Sequence, residues 1–316
     1  GHHEELLSYL VRRLLENGAN SSFVNRFMNE NVPIEAVVED PVAALQAGES
    51  VNAHIPLPVN LYGASRENSS GVDWGNPQQL AAQVAFVQLG PVTEGALALA
   101  QSMRGPAAEV RNPANRDEIV GHVNAATAED VTQAFDRAGK AYRAWDEAGA
   151  THRAVCLIAA ADGLRANRAE LVRLLVKEAG KTLPDAIAEV REAEDFCRYY
   201  AAQARSQFAD PMVLPGPTGE DNKLSLRGRG VFACISPWNF PLAIFMGQVA
   251  AALVAGNSVV AKPAEFTPLI AAYAVRLLHK AGVPEDVLHF VPAKGRLFGE
   301  VAFKHPALAG VCFTGS

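Results

Sequence analysis

At 316 residues, with 49% hydrophobic and 20% charged content, the chain is an ordinary globular protein long enough for two domains. Its net charge of -6 speaks against a nucleic-acid partner, and no apolar run reaches the roughly 18 residues of a membrane span. The four cysteines, at 156, 197, 234 and 312, show neither metal-ligand spacing nor a disulfide framework, so no metal site and a reducing, cytoplasmic compartment are expected, with no signal peptide at the start.

Glu4 to Asn17 has a helical period, with Leu6, Leu7, Leu10, Val11, Leu14 and Leu15 as its apolar stripe. Tyr9, Arg12, Arg13 and Glu16 follow i, i+3, i+4 and i+7 and share the opposite face. Asn17-Gly18 stops this helix, and Ser21 or Ser22 can cap the next, Phe23 to Asn29. Taken on charge pattern alone, Arg12-Arg13 is a solvated basic pair.

Between Asn31 and Arg104 the pattern weakens. Pro33, Pro41, Pro56 and Pro58 interrupt it, and Ser65 to Asn76 is polar loop. Short helices are predicted near Pro41 to Ala47 and over Pro77 to Leu89. Glu109 to Val123 alternates around Asn112-Pro113-Ala114-Asn115-Arg116 and predicts a hairpin. Three helices follow, over Ala128 to Asp146, Thr151 to Asn167 and Ala169 to Ala204, the last broken near Gly180 and Pro184, with Thr127 and Thr151 as caps. Gly180-Lys181 does not make a phosphate loop, because it lacks the earlier glycine and the preceding strand. Lys223 to Arg229 alternates again.

The stretch Gly228 to Glu265 is the centre of the chain. Val231 to Ile235 is an apolar run bounded by Gly230 and Pro237, which predicts a buried strand. A loop, Ser236-Pro237-Trp238-Asn239-Phe240-Pro241, leads into a helix of small and apolar residues from Leu242 to Ala255, stopped by Gly256-Asn257. Ser258 to Ala261 is a second strand, ended by Lys262-Pro263. Right-handed crossover puts the loop, Lys262 and Glu265 at the carboxyl edge of a parallel sheet, where ligands bind. The α/β rhythm then continues: Thr267-Pro268 caps a helix to Gly282, Val287 to Val291 is a strand, Leu297 to Lys304 a helix, and Gly310 to Phe313 a strand. A standard GxGxxG is absent.

ISPWNFP, VVAKPAE and the terminal CFTGS, in this order and spacing, resemble the NAD-binding half of the aldehyde dehydrogenase superfamily. EAGKTLPDAIAEV is similar to a stretch of the same scaffold, and RENSSGVDWGN to its entry in the fused family. YLVRRLLENGANSSFVNR resembles the last helices of a proline dehydrogenase (β/α)8 barrel. Together they resemble an internal fragment of the bifunctional proline-utilisation family, proline dehydrogenase fused to L-glutamate γ-semialdehyde dehydrogenase. The resemblance implies terminal barrel helices over 1–40, a connector over 41–104, and a Rossmann-like open parallel sheet of the aldehyde dehydrogenase type over 105–316.

By the same resemblance, Tyr9, Arg12 and Arg13 bind proline, and Glu16 and Phe23 lie near the adenosine end of FAD, whose site is mostly outside this segment. Arginine suits a carboxylate because its planar fork pairs with both oxygens. The resemblance implies that Ile235 is part of the NAD site, Ser236, Pro237 and Trp238 line its nicotinamide side, Lys262 and Glu265 hold the adenosine ribose, and Gly315 and Ser316 begin the pyrophosphate turn at a helix N-terminus. Asn239 matches the oxyanion amide; from pattern alone it is equally a turn-forming asparagine. The expected substrates are proline and glutamate γ-semialdehyde, and the complete enzyme is expected to be a homo-oligomer. Quinone or inner-membrane association stays open.

Aldehyde oxidation by this route needs a cysteine thiolate, an oxyanion donor, a two-electron acceptor and a base for thioester hydrolysis. All four cysteines fall among apolar neighbours and read as core, so the nucleophile and the base are expected beyond Ser316 and the fragment is expected to be inactive. Two other readings compete: a single-function aldehyde dehydrogenase with an unrelated helical extension, and a non-catalytic nucleotide-binding protein.

Overall fold

The computed structural model describes residues 3–18, 23–38, 40, 42, 43, 46, 55–88 and 98–315. They fall into two units, Gly1–Pro56 and Leu57–Ser316. In the first, α1 (His3–Gly18) and α2 (Phe23–Met28) follow the predicted periods, and a short α3 (Ile34–Val37), not predicted, starts after Pro33. The Arg26 guanidinium donates to the Ala36 carbonyl and ties α2 to α3. The apolar stripe of α1 is present but uncovered, with Leu14 71% and Leu15 72% exposed. Ser21 and Ser22 lie outside the described residues, as does most of the helix predicted over 41–47.

In the second unit, α4 (Pro77–Gln88) precedes an antiparallel hairpin of β1 (Ala107–Asn112) and β2 (Asn115–Asn124). The polar loop before α4 is anchored: Ser69, 1% exposed, donates its N–H and hydroxyl to Asp195 at 2.8 and 2.7 Å. Four helices follow: α5 (Ala128–Glu147), α6 (Ala150–Ala166), α7 (Arg168–Ala179) and α8 (Leu183–Gln207). Thr127 makes a capping box with Asp130. Thr151, predicted as a cap, instead lies in the first turn of α6; the cap position is Gly149, whose φ of 88° lets the chain turn directly from α5 into α6. Gly180, at φ 66°, ends α7 where the break was predicted. The alternation over 223–229 yields only a short strand, β4 (Asn222–Leu224), paired with β3 (Met212–Leu214).

The central sheet contains β5 (Val231–Ile235), β6 (Ser258–Lys262), β7 (Leu288–Phe290) and β8 (Leu308–Phe313), all parallel, in the order β7-β6-β5-β8. They alternate with α9 (Ala243–Val254), α10 (Pro268–Lys280) and α11 (Gly295–Ala302). Both faces of β5, β6 and β7 are covered, which is why these strands are continuous apolar runs, whereas β8 is half-buried to exposed along its length. Cys234, Val259 and Ala261 join the core shared with α6 to α10, while Val231, Ala233 and Val260 join the one formed with α5 and α11. The period of two places neighbouring residues on opposite faces. β8 carries Gly310 where the Phe232 ring crosses; a Cβ there would stand 2.4 Å from the ring.

Candidate active site

The chain winds from β5 through β6 to β7 in one direction, then returns so that β8 lies on the other side of β5. This reversal opens a crevice at the carboxyl edge, the position where open α/β sheets bind ligands. Ile235 pairs with Lys262 on one side and with Phe313 on the other, so the ends of three strands meet there. The loops after β5, β6 and β8, with the first turns of α11, enclose a cavity of about 960 Å³.

Ile235, Ser236, Pro237, Trp238, Asn239, Lys262, Glu265 and Gly315, all predicted from sequence, line this cavity. Ser316 lies outside the described residues, and so do the side chains of Glu16 and Phe23. Tyr9, Arg12 and Arg13 belong to the first unit, exposed on α1, with the Arg13 guanidinium 5.4 Å from the centre of the Tyr9 ring.

Ser236 extends the strand pairing by donating its N–H to the Lys262 carbonyl at 3.2 Å. Its hydroxyl is buried with no hydrogen-bond partner among the described residues. Lys262 is 5% exposed and donates to the Pro263 carbonyl at 3.1 Å. Burial pushes its ammonium below the ordinary pKa, and Glu265 opposes that shift. Glu265 is exposed, and its Oε1 accepts the Gly295 N–H at 2.9 Å. Trp238 and Asn239 stand exposed at the mouth. The Asn239 amide has no hydrogen-bond partner among the described residues, which leaves it available to a ligand.

Two glutamates that sequence reasoning passed over hold the helix starts behind these loops. Glu189 Oε1, from α8, accepts the N–H groups of Leu242 and Ala243 at 2.7 and 3.2 Å, capping α9. Glu178, from α7, accepts those of Leu269 and Ile270 at 2.7 and 2.8 Å, capping α10. Burial drives Glu178 up to about 8 despite these two donors. Thr267, predicted as the α10 cap, makes no cap hydrogen bond, because its φ of -137° and ψ of 54° lie off the usual cap geometry. A signal for both glutamates was present. Glu178 follows Leu171, Leu174 and Leu175, and Glu189 follows Ala186 and precedes Val190 and Ala193, so each interrupts the buried stripe of its helix. Gly295 and Gly299 of α11 and Thr314 after β8 also line the cavity.

The cysteines are less uniform than predicted. Cys156, Cys197 and Cys234 are buried, but Cys312 is half-buried, because β8 is the outer strand of the described sheet. Burial takes Cys197 to about 12. Cys312 is drawn down to about 7 by a hydrogen bond from Cys234, its neighbour in register on β5. No cysteine lines the cavity. Among the described residues there is no cluster of three or more metal-ligating side chains, and no helix is long and apolar enough to cross a membrane.

The model of the aldehyde dehydrogenase family matches residues 100–316, from just before the hairpin to the turn after β8. The chain belongs to the aldehyde dehydrogenase family. Its α/β fold with a parallel sheet is that of the family, as its motifs implied. A proline dehydrogenase model matches residues 1–26 of this aldehyde dehydrogenase chain. Bifunctional protein PutA of Escherichia coli K12 is 44% identical across 100% of the chain, which spans 24% of that relative. 1-Pyrroline-5-carboxylate dehydrogenase 2 of Bacillus subtilis is 41% identical over 65% of the chain and 40% of its own length. Among solved structures, Bradyrhizobium japonicum proline utilization A superposes with a TM-score of 0.80 at 45% identity, over 100% of this chain and 29% of that one. The Thermus 1-pyrroline-5-carboxylate dehydrogenase with bound NAD gives 0.71 at 32% identity, over 79% and 49%. The chain thus spans about a quarter of the length of the PutA relatives that it matches throughout.

Proposed function

We propose that the second unit is the NAD-binding part of an enzyme that oxidises glutamate γ-semialdehyde to glutamate, joined in one polypeptide to a proline dehydrogenase that uses FAD. The observation that carries this reading is the gathering of Asn239, Lys262 and Glu265 on one cavity at the sheet's switch point. The proline dehydrogenase match at residues 1–26 favours it over a single-function aldehyde dehydrogenase. In this reading residues 1–40 are the last helices of a (β/α)8 barrel, 41–104 a connector and 105–316 the nucleotide-binding part. Proline is held by Tyr9, Arg12 and Arg13, and Glu16 and Phe23 lie towards the flavin. The complete enzyme is a cytoplasmic homo-oligomer.

The residues present fit NAD. Among the described residues the buried Ser236 hydroxyl lacks a partner and Lys262 Nζ donates only to the Pro263 carbonyl, and glycines 295, 299 and 315 put no side chain into the cavity wall where they stand. Lys262 and Glu265 offer a donor and an acceptor to the ribose hydroxyls, and Ser236 to Trp238 line the nicotinamide side. Bound there, NAD supplies the two-electron acceptor. Asn239 supplies an amide N–H to the carbonyl oxygen that becomes negative when a thiolate adds to the aldehyde. None of the four cysteines lines the cavity, which supports placing that thiolate elsewhere in the complete enzyme.

The test is Asn239→Ala in a full-length protein carrying this segment. Removing one such donor typically costs about 10²–10³ in kcat. Affinity for NAD should stay near wild type, because the amide acts on charge that develops only in the transition state. A normal thermal midpoint with near-normal kcat would overturn the oxyanion role.

A further inference from the structure

The loop that carries Asn239 is gripped on both sides of Pro241 by one ion pair. Lys181, one residue past the glycine that ends α7, places Nζ 2.7 Å from Glu189 Oε2 and 4.1 Å from the centre of the Phe240 ring. Glu189 is 1% exposed and gives its other oxygen to the N–H groups of Leu242 and Ala243. Lys181 therefore bears on the residue after Asn239, and Glu189 on the backbone three and four residues after it. The ammonium is shared between a buried carboxylate and the face of an aromatic ring, so one charge ties α8 to the loop at two points.

A buried ion pair adds little stability over a well-packed apolar replacement, because desolvating two charges offsets their attraction. What it can supply is a single conformation. Asn239 has no partner of its own among the described residues, so the loop backbone alone sets where its amide stands. We infer that Lys181 and Glu189 are positioning residues for the oxyanion donor, acting on Asn239 through Phe240 and the first N–H groups of α9. This inference rests on Asn239 being that donor. It gives Gly180-Lys181 a use unrelated to phosphate.

The experiment is a mutant cycle in a full-length protein carrying this segment, reading aldehyde-dependent kcat, Kd for NAD and the thermal midpoint. Lys181→Met should lower kcat on the order of 10- to 100-fold, the scale of a small misplacement of a catalytic group. Kd for NAD should stay near wild type while the midpoint falls, because Glu189 is left buried without its cation; Lys181→Arg, which keeps both the ion pair and the ring contact, should recover most of the rate and of the midpoint. Added to Asn239→Ala, Lys181→Met should cost nothing more, since the group it positions is gone. If Lys181→Met does not fold, Lys181→Gln enters the same cycle. Additive losses, or a rate loss matched by an equal fall in NAD affinity without rescue by Arg, would overturn the inference. An impaired Asn239→Ala beside an unimpaired Lys181→Met overturns it alone, whereas a wild-type rate in Asn239→Ala overturns the donor reading and the inference with it.

Discussion

Glu265 Oε1 accepts the Gly295 N–H at 2.9 Å, so the carboxylate assigned to the ribose also caps α11. A helix N-terminus favours a carboxylate, and this contact fixes the group on the cavity wall. A charge fixed there accepts from ribose hydroxyls and repels a 2′-phosphate, so the full-length enzyme should prefer NAD to NADP. Glu265→Gln keeps an acceptor for Gly295 while losing the charge. It should narrow the preference with little loss of stability, whereas Glu265→Ala should also lose a cap worth about 0.5–2 kcal/mol. Ratios of kcat/KM for the two cofactors check this, and a wild type that favours NADP contradicts it.

Glu178 makes stability depend on pH. Burial raises its pKa from the ordinary 4.5 to about 8 in the folded chain. Between those values the unfolded chain has released the proton and the folded chain still holds it. The contribution of this group is therefore fully present below pH 4.5 and is lost as pH rises through about 8. Glu178→Gln cannot ionise, so its thermal midpoint should fall less steeply over that window. Parallel midpoint curves for the two proteins would show that Glu178 titrates normally.

The sheet was legible because its burial is two-sided. Val231 to Ile235 and Ser258 to Lys262 carry no polar face, and the small residues of α9 match a helix pressed on a sheet. That Ser236 to Asn239, Lys262 and Glu265 would line one cavity followed from their place at the ends of those strands. The clamps behind them were not legible: Glu189 and Glu178 cap amides 53 and 91 residues away, and helical period gives a face but not a distant partner. A charge interrupting an apolar stripe was the available sign. Local cap rules failed at Thr151 because the turn at Gly149 starts α6 before it, and at Thr267 because Glu178 caps α10 from a distant helix. On α1 the stripe was read correctly, yet Leu14 and Leu15 stand exposed, because a period says that a face is apolar and not what covers it.

Cys312 should be the most reactive of the four thiols in this 316-residue chain. The thiolate is the reacting species, and the hydrogen bond from Cys234 draws Cys312 to about 7 while burial raises Cys197 to about 12. Iodoacetamide at pH 7, with the labelled cysteines located by mass spectrometry, should modify Cys312 first. Cys234→Ala removes the donor, so the midpoint of the Cys312 rate profile should move to higher pH. Equal labelling of all four cysteines, or an unmoved midpoint in Cys234→Ala, would refute the hydrogen-bond explanation.

The last prediction concerns α1. Tyr9, Arg12 and Arg13 share its polar face, and Arg13 lies over the Tyr9 ring. A proline carboxylate presents two oxygens, which suits the planar fork of an arginine better than a point charge. In a full-length protein, Arg12→Met or Arg13→Met should raise the KM for proline and leave aldehyde oxidation unchanged. Each removes a charged hydrogen-bond partner worth about 1.5–3 kcal/mol, equivalent to roughly ten- to a hundredfold in affinity. Arg13→Lys keeps the charge without the fork and should recover only part of the loss. Tyr9→Phe keeps the ring face beneath Arg13 and should be milder than Tyr9→Leu, which removes it. The competing view makes the two arginines a solvated pair on an exposed helix face, and predicts a normal KM for all of these variants. Steady-state proline oxidation on the series decides between them, and an unchanged KM in both Met variants would mean that this helix does not border the proline site.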